Sequence, residues 1–319
     1  MRSRAVWWFL ALGACAPAAQ SPKPVAEEAF VLESKDDPTS AGKGGGGQSV
    51  HEAAIQYLPG RTRFPAVHGR VRGKSTWMLL DTGASANFVS DWLASRIFED
   101  DHGATASDHA GRNIRITSMD QPRLEIDGWG ALRDASAHIL HDESRSESDN
   151  VGVTMSPQTL SSSGVVVIDF PHKRLAMMHA RSDAESAMPP ESGVLATAQY
   201  CRGVYILPAK LGDATARMLV DTGAYATDLH PRSQAAKSLT FHAQDGQGAS
   251  MGAGGAIAYH RLPHVNVSSG TMTANVDVML LDDVNEDNYC PFDGVIGMDV
   301  LEKCTLVIEG KTMTGRCAN

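Results

Sequence analysis

The sequence predicts an all-β protein made of two similar lobes in series. Short runs of apolar and β-branched residues are separated throughout by Gly, Pro, Asn and Asp, and helical stretches are as brief as residues 91–98. The segment Met-Leu-Leu-Asp-Thr-Gly-Ala at residues 78–84 recurs at residues 218–224 with Val in place of one Leu. Two copies of one motif in matching frames predict an internal duplication with pseudo-twofold symmetry.

The flanks of the two copies also correspond. Each copy is preceded by a strand-like segment with a turn glycine, Gly73 or Gly212. Beyond each copy lies a predicted hairpin, at residues 165–178 in the first half and 304–317 in the second. The repeat therefore covers whole lobes.

The N-terminus has the features of an export signal. A basic start is followed by an apolar run too short to span a bilayer. The run ends in Leu-Gly-Ala-Cys at residues 12–15, which resembles a bacterial lipobox, so we expect lipid attachment at Cys15 and a membrane anchor. Ordinary cleavage near Ala16, with Cys15 incidental, is the alternative.

A tether rich in Ala, Pro, Ser and Gly follows the signal. Its Gly/Lys cluster at residues 42–47 lacks the Gly-Lys-Ser/Thr of a phosphate-binding loop. The predicted order is a signal peptide at 1–15, a tether at 16–54, a first lobe at 55–182, a linker containing two prolines at 183–192 and a second lobe at 193–319.

Charge and cysteine content narrow the functional classes. The net charge of -9 is spread along the chain, so no nucleic-acid partner is expected. Four cysteines besides Cys15 predict two disulfides, for which three connectivities are possible. We favour Cys304–Cys317, across a predicted hairpin, which leaves Cys201 with Cys290. A zinc site is the alternative, although no Cys-x-x-Cys pair supports it.

The repeated motif resembles the catalytic loops of the retropepsins and pepsins, aspartic peptidases with one Asp-Thr-Gly loop per lobe. The second half matches from about residue 203 to residue 306, whereas the first half matches well only around Asp81. The resemblance implies two retropepsin-like β-barrel lobes in tandem, whose catalytic pair is Asp81 and Asp221.

Elementary chemistry explains why this motif suits hydrolysis. Two carboxyl groups at close range cannot both ionise cheaply, so they share one proton. The ionised group can take a proton from water while the protonated group polarises the scissile carbonyl. No metal or other cofactor is then needed, and the substrate is a peptide or protein.

Neighbouring residues of both loops are expected to support the pair. Glycine at positions 83 and 223 allows close approach of the backbone. The resemblance implies hydrogen bonds across the interface from the threonines and a crowded centre at the alanines. The supporting residues are Thr82, Gly83, Ala84, Thr222, Gly223 and Ala224.

Two further elements are predicted from the resemblance. A flexible flap over the substrate is expected at Gly252, Ala253, Gly254 and Gly255. The corresponding stretch of the first lobe, about 109–118, is polar and has no comparable glycine cluster, which suggests one dominant flap. A closing motif, Asp-Gly-Val-Ile-Gly ending at Gly297, has an eroded counterpart around Gly152.

Alternative functions follow from the same residues. Each lobe could pair with its equal in another molecule, although the tandem arrangement favours a monomer acting as an intramolecular pseudo-dimer. An inactive peptide-binding or structural envelope lipoprotein is the alternative from another class. His138, His141 and Asp142 are the closest approach to a metal set, but no metal site is expected. The serines before Gly164 lack a nucleophile elbow.

Overall fold

Each Asp-Thr-Gly loop follows a strand whose last residues are all buried. In the first lobe this strand, Lys74–Leu80, begins exposed and ends with Met78, Leu79 and Leu80 inside the protein. The strand Ala214–Val220 has the same pattern. A continuous apolar run is typical of a strand that lies between neighbours with both faces covered, and it brings the following aspartate into the interior.

A computed structural model defines the fold. The residues it describes are 9–10, 49–58, 64–97, 103–108, 113–119, 121–132, 135–141, 150–186, 188–189, 193–239, 247–252, 255–282 and 290–318.

The first lobe is one sheet that contains both parallel and antiparallel strand pairs. Its order is β1-β7-β8-β11-β6-β12-β5-β4-β9-β10, with β3 also on β4. The strands are β1 Phe9–Leu10, β3 Gln56–Tyr57, β4 Pro65–Val71, β5 Lys74–Leu80, β6 Asn87–Ser90, β7 Gly103–Asp108, β8 Asn113–Met119, β9 Leu124–Ile126, β10 Gly130–Ala131, β11 Ala137–Leu140 and β12 Val151–Met155.

The second lobe repeats this topology. Its order is β16-β17-β18-β23-β19-β22-β21-β20, and a further β17–β21 pairing closes six of these strands into a ring. The strands are β16 Gln199–Cys201, β17 Val204–Leu211, β18 Ala214–Val220, β19 Asp228–Leu229, β20 Gln247–Gly252, β21 Gly255–Ser269, β22 Met272–Leu281 and β23 Gly294–Ile296.

A third sheet joins the lobes. The predicted hairpins pair with each other through antiparallel β13 and β24, in the order β15-β25-β24-β13-β14-β2. Its strands are β2 Ser49–Ala54, β13 Val165–Asp169, β14 Arg174–Met178, β15 Gly193–Val194, β24 Cys304–Glu309 and β25 Thr312–Cys317. Val166, Ile168, Leu306 and Ile308 face one shared core, so the lobes are held together by a sheet and not only by the catalytic loops.

Five short helices lie in the part of the chain that the structure describes. They are α1 Asp91–Ala94, α2 Pro157–Leu160, α3 Arg181–Ser186, α4 Gln234–Ser238 and α5 Met298–Leu301. Among the described residues, no helix has the length and apolar character needed to cross a bilayer. The all-β prediction with two tandem lobes is confirmed.

Two elements lie where the sequence predicts a tether and a linker. Residues 49–54, within the predicted tether, form β2 on the edge of the shared sheet, with Ala53 buried. The predicted linker begins inside α3, whose Ala184 packs in an apolar cluster with Met188. The domain boundaries themselves stay predictions.

The two predicted disulfides are present. Cys201 is bonded to Cys290 and Cys304 to Cys317. The second bond crosses directly paired residues of β24 and β25. Disulfides are consistent with an exported protein.

Candidate active site

The backbone of each candidate catalytic aspartate is held by the strand that closes its lobe. The N–H of Asp81 donates to the carbonyl oxygen of Met155 at 2.8 Å, and that of Asp221 to Ile296 at 3.1 Å. The two closing strands, β12 and β23, lie between the strand before the loop and the strand after it. Both aspartates therefore emerge at the same point of equivalent sheets.

The threonines of the two loops bind each other's backbone across the lobe interface. Thr82 Oγ1 donates to the carbonyl of Val220 at 2.8 Å, and Thr222 Oγ1 donates to that of Leu80 at 2.7 Å. Each hydroxyl also accepts a backbone N–H from the other threonine, at 3.0 and 3.1 Å. Four reciprocal hydrogen bonds, all buried, fix the loops symmetrically.

The two carboxyl groups meet inside this frame. Asp81 and Asp221 are both 0% exposed. One oxygen of each is held within its own loop, by the N–H of Ala84 at 2.9 Å and that of Gly223 at 2.8 Å. The outer oxygens are left to each other, and the side chain of Asp221 is in hydrogen-bond contact with that of Asp81.

Burial and like charge determine how this pair titrates. Removal from water, followed by the negative charge of Asp81 and the hydrogen bond to it, raises the pKa of Asp221 well above its usual range. The hydrogen bond from the N–H of Gly223 lowers the pKa of Asp221, but by less than the other effects raise it. The pair thus retains one shared proton at pH values where isolated aspartates are ionised.

A third carboxyl group lies close to the pair. Asp228, on β19, is buried beside Val295, and its negative charge also contributes to the raised pKa of Asp221. Burial raises the pKa of Asp228 itself well above the usual value, and the charge of Asp299 adds to this. The equivalent residue in the first lobe is Phe88, so this acid is present on one side only.

The amide of Gln158 joins the first catalytic loop to the second lobe. Its Nε2 donates to the carbonyl oxygens of Thr82 at 3.0 Å, Ala84 at 2.7 Å and Gly203 at 2.6 Å. Gly203 has a φ of +98°, and a Cβ there would lie 2.7 Å from the Cβ of Ser85. Glycine therefore allows the second lobe to approach the first loop this closely.

Neither Gln158 nor Asp228 was predicted from the sequence. The three acceptors of Gln158 come from separate segments, so no local pattern reveals their meeting. Asp228 gave a usable signal, because it is an acidic residue seven positions after Asp221, at the start of the next strand.

The two closing motifs correspond residue by residue. Strand pairing places Val153 opposite Met78 and Gly294 opposite Met218, which makes Ser156 the equivalent of Gly297. The N–H of Ser156 donates to Asn87 Oδ1, as that of Gly297 donates to Thr227 Oγ1. Gly152 lies instead at a bulge where any Cβ would collide with Thr76. The closing strand of the first lobe is thus complete in structure although its sequence has changed.

Hairpins follow both catalytic loops. In the second lobe β20 and β21 are paired as far as Gly252 with Gly255, while Ala253 and Gly254 lie outside the described residues. In the first lobe β7 and β8 form a corresponding hairpin. The flap role and the expectation of one dominant flap both stay predictions.

The histidine alternative receives no support from the described residues. His141 contacts Thr117 at 2.8 Å and Asp91 at 3.1 Å, whereas half-buried His138 packs on Phe88. No three His, Cys, Asp or Glu side chains are grouped as metal ligands within the described ranges. Asp142 and Cys15 lie outside them.

Comparison with known sequences agrees with the geometry. A search of curated proteins gives no match. A model of a family described as aspartyl protease matches residues 67–169 and, a second time, residues 207–300, which together exceed half of the chain. Each match contains one Asp-Thr-Gly loop and its closing strand. The chain therefore belongs to the aspartyl protease family.

Proposed function

We propose that the protein is an aspartic endopeptidase whose single active site is formed by Asp81 and Asp221. One observation carries the proposal: reciprocal threonine hydrogen bonds bring two buried carboxyl groups from different lobes into hydrogen-bond contact. A purely structural lobe interface gains nothing from two buried acids, because burial of a carboxyl group is costly unless its proton is retained.

The electrostatic asymmetry assigns a role to each acid. Asp228 lies near Asp221 and has no acidic counterpart in the first lobe, so we assign the shared proton to Asp221. Asp81 is then the ionised base that removes a proton from the attacking water, while Asp221 donates its proton to the scissile carbonyl oxygen. When the tetrahedral intermediate breaks down, Asp81 gives the proton it took from water to the amide nitrogen, and Asp221 takes a proton back from a hydroxyl of the intermediate. The C–N bond then breaks without a covalent enzyme intermediate. The pair ends with one proton, as it began.

Access to this pair requires motion. Both carboxyl groups are covered in the structure, so substrate reaches them only when covering segments move, as lids do in other enzymes. The hairpins β7–β8 and β20–β21 are the segments we propose for this role.

A peptide library tests the activity. The full-length protein, solubilised in detergent, is incubated with a mixed library from about pH 3 to about pH 8, and products are identified by mass spectrometry. We expect cleavage by the parent and none by Asp81→Asn or Asp221→Asn, with both variants folded. Asp213→Asn, at an exposed turn, is the matched control. A folded parent that binds peptides but cuts none at any pH would favour the inactive binding role.

We further propose that the chain is exported, anchored by lipid at Cys15 and active as a monomer. The lipobox-like segment, the two disulfides and the completeness of the catalytic frame within one chain support these points. Labelling cells with an alkyne fatty acid tests the anchor: Cys15→Ser should lose the label, and Cys304→Ser should keep it. Analytical ultracentrifugation of active protein tests the monomer.

A further inference from the structure

A cavity opens beside the second catalytic loop and is not part of the carboxyl pair. Its volume is about 610 Å³, and its walls include Tyr225, Tyr259, Arg261, Asp277, Asp299 and Lys303. The hydroxyl of Tyr225 donates to Met279 Sδ at 3.0 Å, which fixes the ring at one end. The cavity is thus a defined space between the catalytic loop, two strands and α5.

The chain itself limits the distance between this cavity and the catalytic Asp221. Tyr225 follows Asp221 by four residues, and a residue spans at most about 3.5 Å, so their Cα atoms lie no more than about 14 Å apart. An extended peptide advances about 3.3 Å per residue. A substrate with its scissile bond at Asp221 could therefore place a side chain in the cavity within about four residues of that bond.

The two carboxylates of the cavity each accept three hydrogen bonds from within the lobe. Asp277 accepts from Arg261 through both Nε and Nη2, and from the N–H of His264 at 3.1 Å. Asp299 accepts from the N–H and hydroxyl of Thr227 and from the N–H of Val300, at 2.8 to 3.0 Å. Because a carboxylate has about four acceptor sites, most of the hydrogen-bonding capacity of both acids is used within the lobe.

Lys303 is the opposite case. Its side chain is exposed at the cavity, and no acid among the described residues forms an ion pair with it. The net charge of -9 belongs to the whole chain, and charges more than about 8 Å away are largely screened at physiological salt. Arg261 and Lys303 balance Asp277 and Asp299 in formal charge, and Lys303 is the one of these four side chains for which the described residues provide no ion pair or hydrogen bond.

The first lobe lacks this arrangement. Strand pairing makes Ser118 the equivalent of Arg261. Ser118 is paired with a residue that is itself paired with Phe88, and Arg261 is paired with a residue that is itself paired with Asp228, the equivalent of Phe88. Since Ser156 corresponds to Gly297, Ser162 corresponds to Lys303. Any recognition by this cation is consequently restricted to one side of the scissile bond.

We propose that this cavity binds an acidic side chain of the substrate, within about four residues of the scissile bond, through the ammonium group of Lys303. The aromatic rings of Tyr225 and Tyr259 provide walls against which the methylene groups of Glu can pack. This inference rests on the proposed peptidase function and defines its substrate class as peptides with an acid on one side of the cut.

Binding to a catalytically inactive variant tests the cavity separately from the chemistry. Full-length Asp221→Asn is immobilised and offered peptide libraries in which one position at a time is fixed as Glu, Gln or Lys. We expect Glu to be retained about two- to fivefold better than Gln at one position, the range for a solvent-exposed ion pair, and less so at high salt. Adding Lys303→Gln should remove the difference, and adding Lys303→Glu should reverse it in favour of Lys.

The control is Lys311→Gln, at the exposed turn between β24 and β25, which should retain the preference for Glu. Equal retention of Glu and Gln at every position, or a preference that survives Lys303→Gln, overturns the proposal. Because retention needs no cleavage, an inactive parent would refute the peptidase function without deciding this experiment.

Discussion

The side-chain amide of Gln158 in the first lobe donates a 2.6 Å hydrogen bond to the carbonyl oxygen of Gly203 in the second. The same nitrogen serves the carbonyls of Thr82 and Ala84, on either side of Gly83. Asp299, its equivalent in the second lobe, binds Thr227 within its own lobe instead. The two catalytic loops, symmetric in their threonine contacts, are therefore supported asymmetrically.

Gln158→Leu should weaken both the fold and the proposed activity. It leaves three buried carbonyls without their donor, which costs about 1–3 kcal/mol for a group that finds no other partner. We expect a lower melting temperature and a larger loss in kcat than in KM, because the position of Asp81 changes. Thermal unfolding and steady-state kinetics measure these effects. Gln199→Leu, on an exposed position of β16, is the control, and an unchanged pH profile in Gln158→Leu would limit the role to stability.

The threonine contacts should be strongly coupled. Thr82→Val and Thr222→Val each remove a buried donor and acceptor that serve both loops. We expect each to lower the free energy of unfolding by about 1–3 kcal/mol, and the double variant to lose clearly less than the sum. A double-mutant cycle by denaturant unfolding measures the coupling, with Thr→Ser variants as the conservative controls. Simple additivity would mean that the two hydroxyls act independently.

Stability should depend on pH through Asp221. Its pKa is raised in the folded protein above the ordinary value of 3.8, so the folded state binds more protons above that pH. The stabilisation from the retained proton is complete below about pH 3.8 and declines as pH rises toward the folded pKa. Asp221→Asn removes this decline. Its melting temperature relative to the parent should thus increase from about pH 4 to about pH 8, and a constant difference would contradict the raised pKa.

Asp228 should shift the alkaline limit of activity. Removing its charge in Asp228→Asn removes one of the effects that raise the pKa of Asp221, so the acid form of the pair is lost at lower pH. The shift should concern the alkaline limb, because Asp228 has a raised pKa and ionises late. Asp299 and His230 also lie in this region and are kept unchanged. Asp213→Asn should leave both limbs in place.

The two disulfides should differ in their contribution to stability. Cys201–Cys290 closes a loop of 89 residues and Cys304–Cys317 one of 13. Chain entropy predicts about 4–5 kcal/mol for the longer loop and about 3 kcal/mol for the shorter. Paired Cys→Ser variants compared by thermal unfolding should show the larger loss for Cys201 with Cys290. The opposite order would mean that strand pairing in β24–β25 depends on its bond.

The sequence by itself determined the duplication, the all-β class and the two aspartates, because these depend on local patterns: an apolar strand, an Asp-Thr-Gly loop and turn residues at matching distances. It also allowed the correct disulfide pairing, since one pair flanks a recognisable hairpin.

Only the tertiary structure decided the contacts between distant segments. Groups that meet only after the lobes assemble form the shared sheet, strand β2 and the three hydrogen bonds of Gln158. The same is true of Ser156, which stands in the first lobe where the second lobe has Gly297. Hydrogen-bond satisfaction in a buried interface is a property of the whole arrangement, so different residues can meet the same need in the two lobes. The two lobes therefore resemble each other more closely in structure than in sequence.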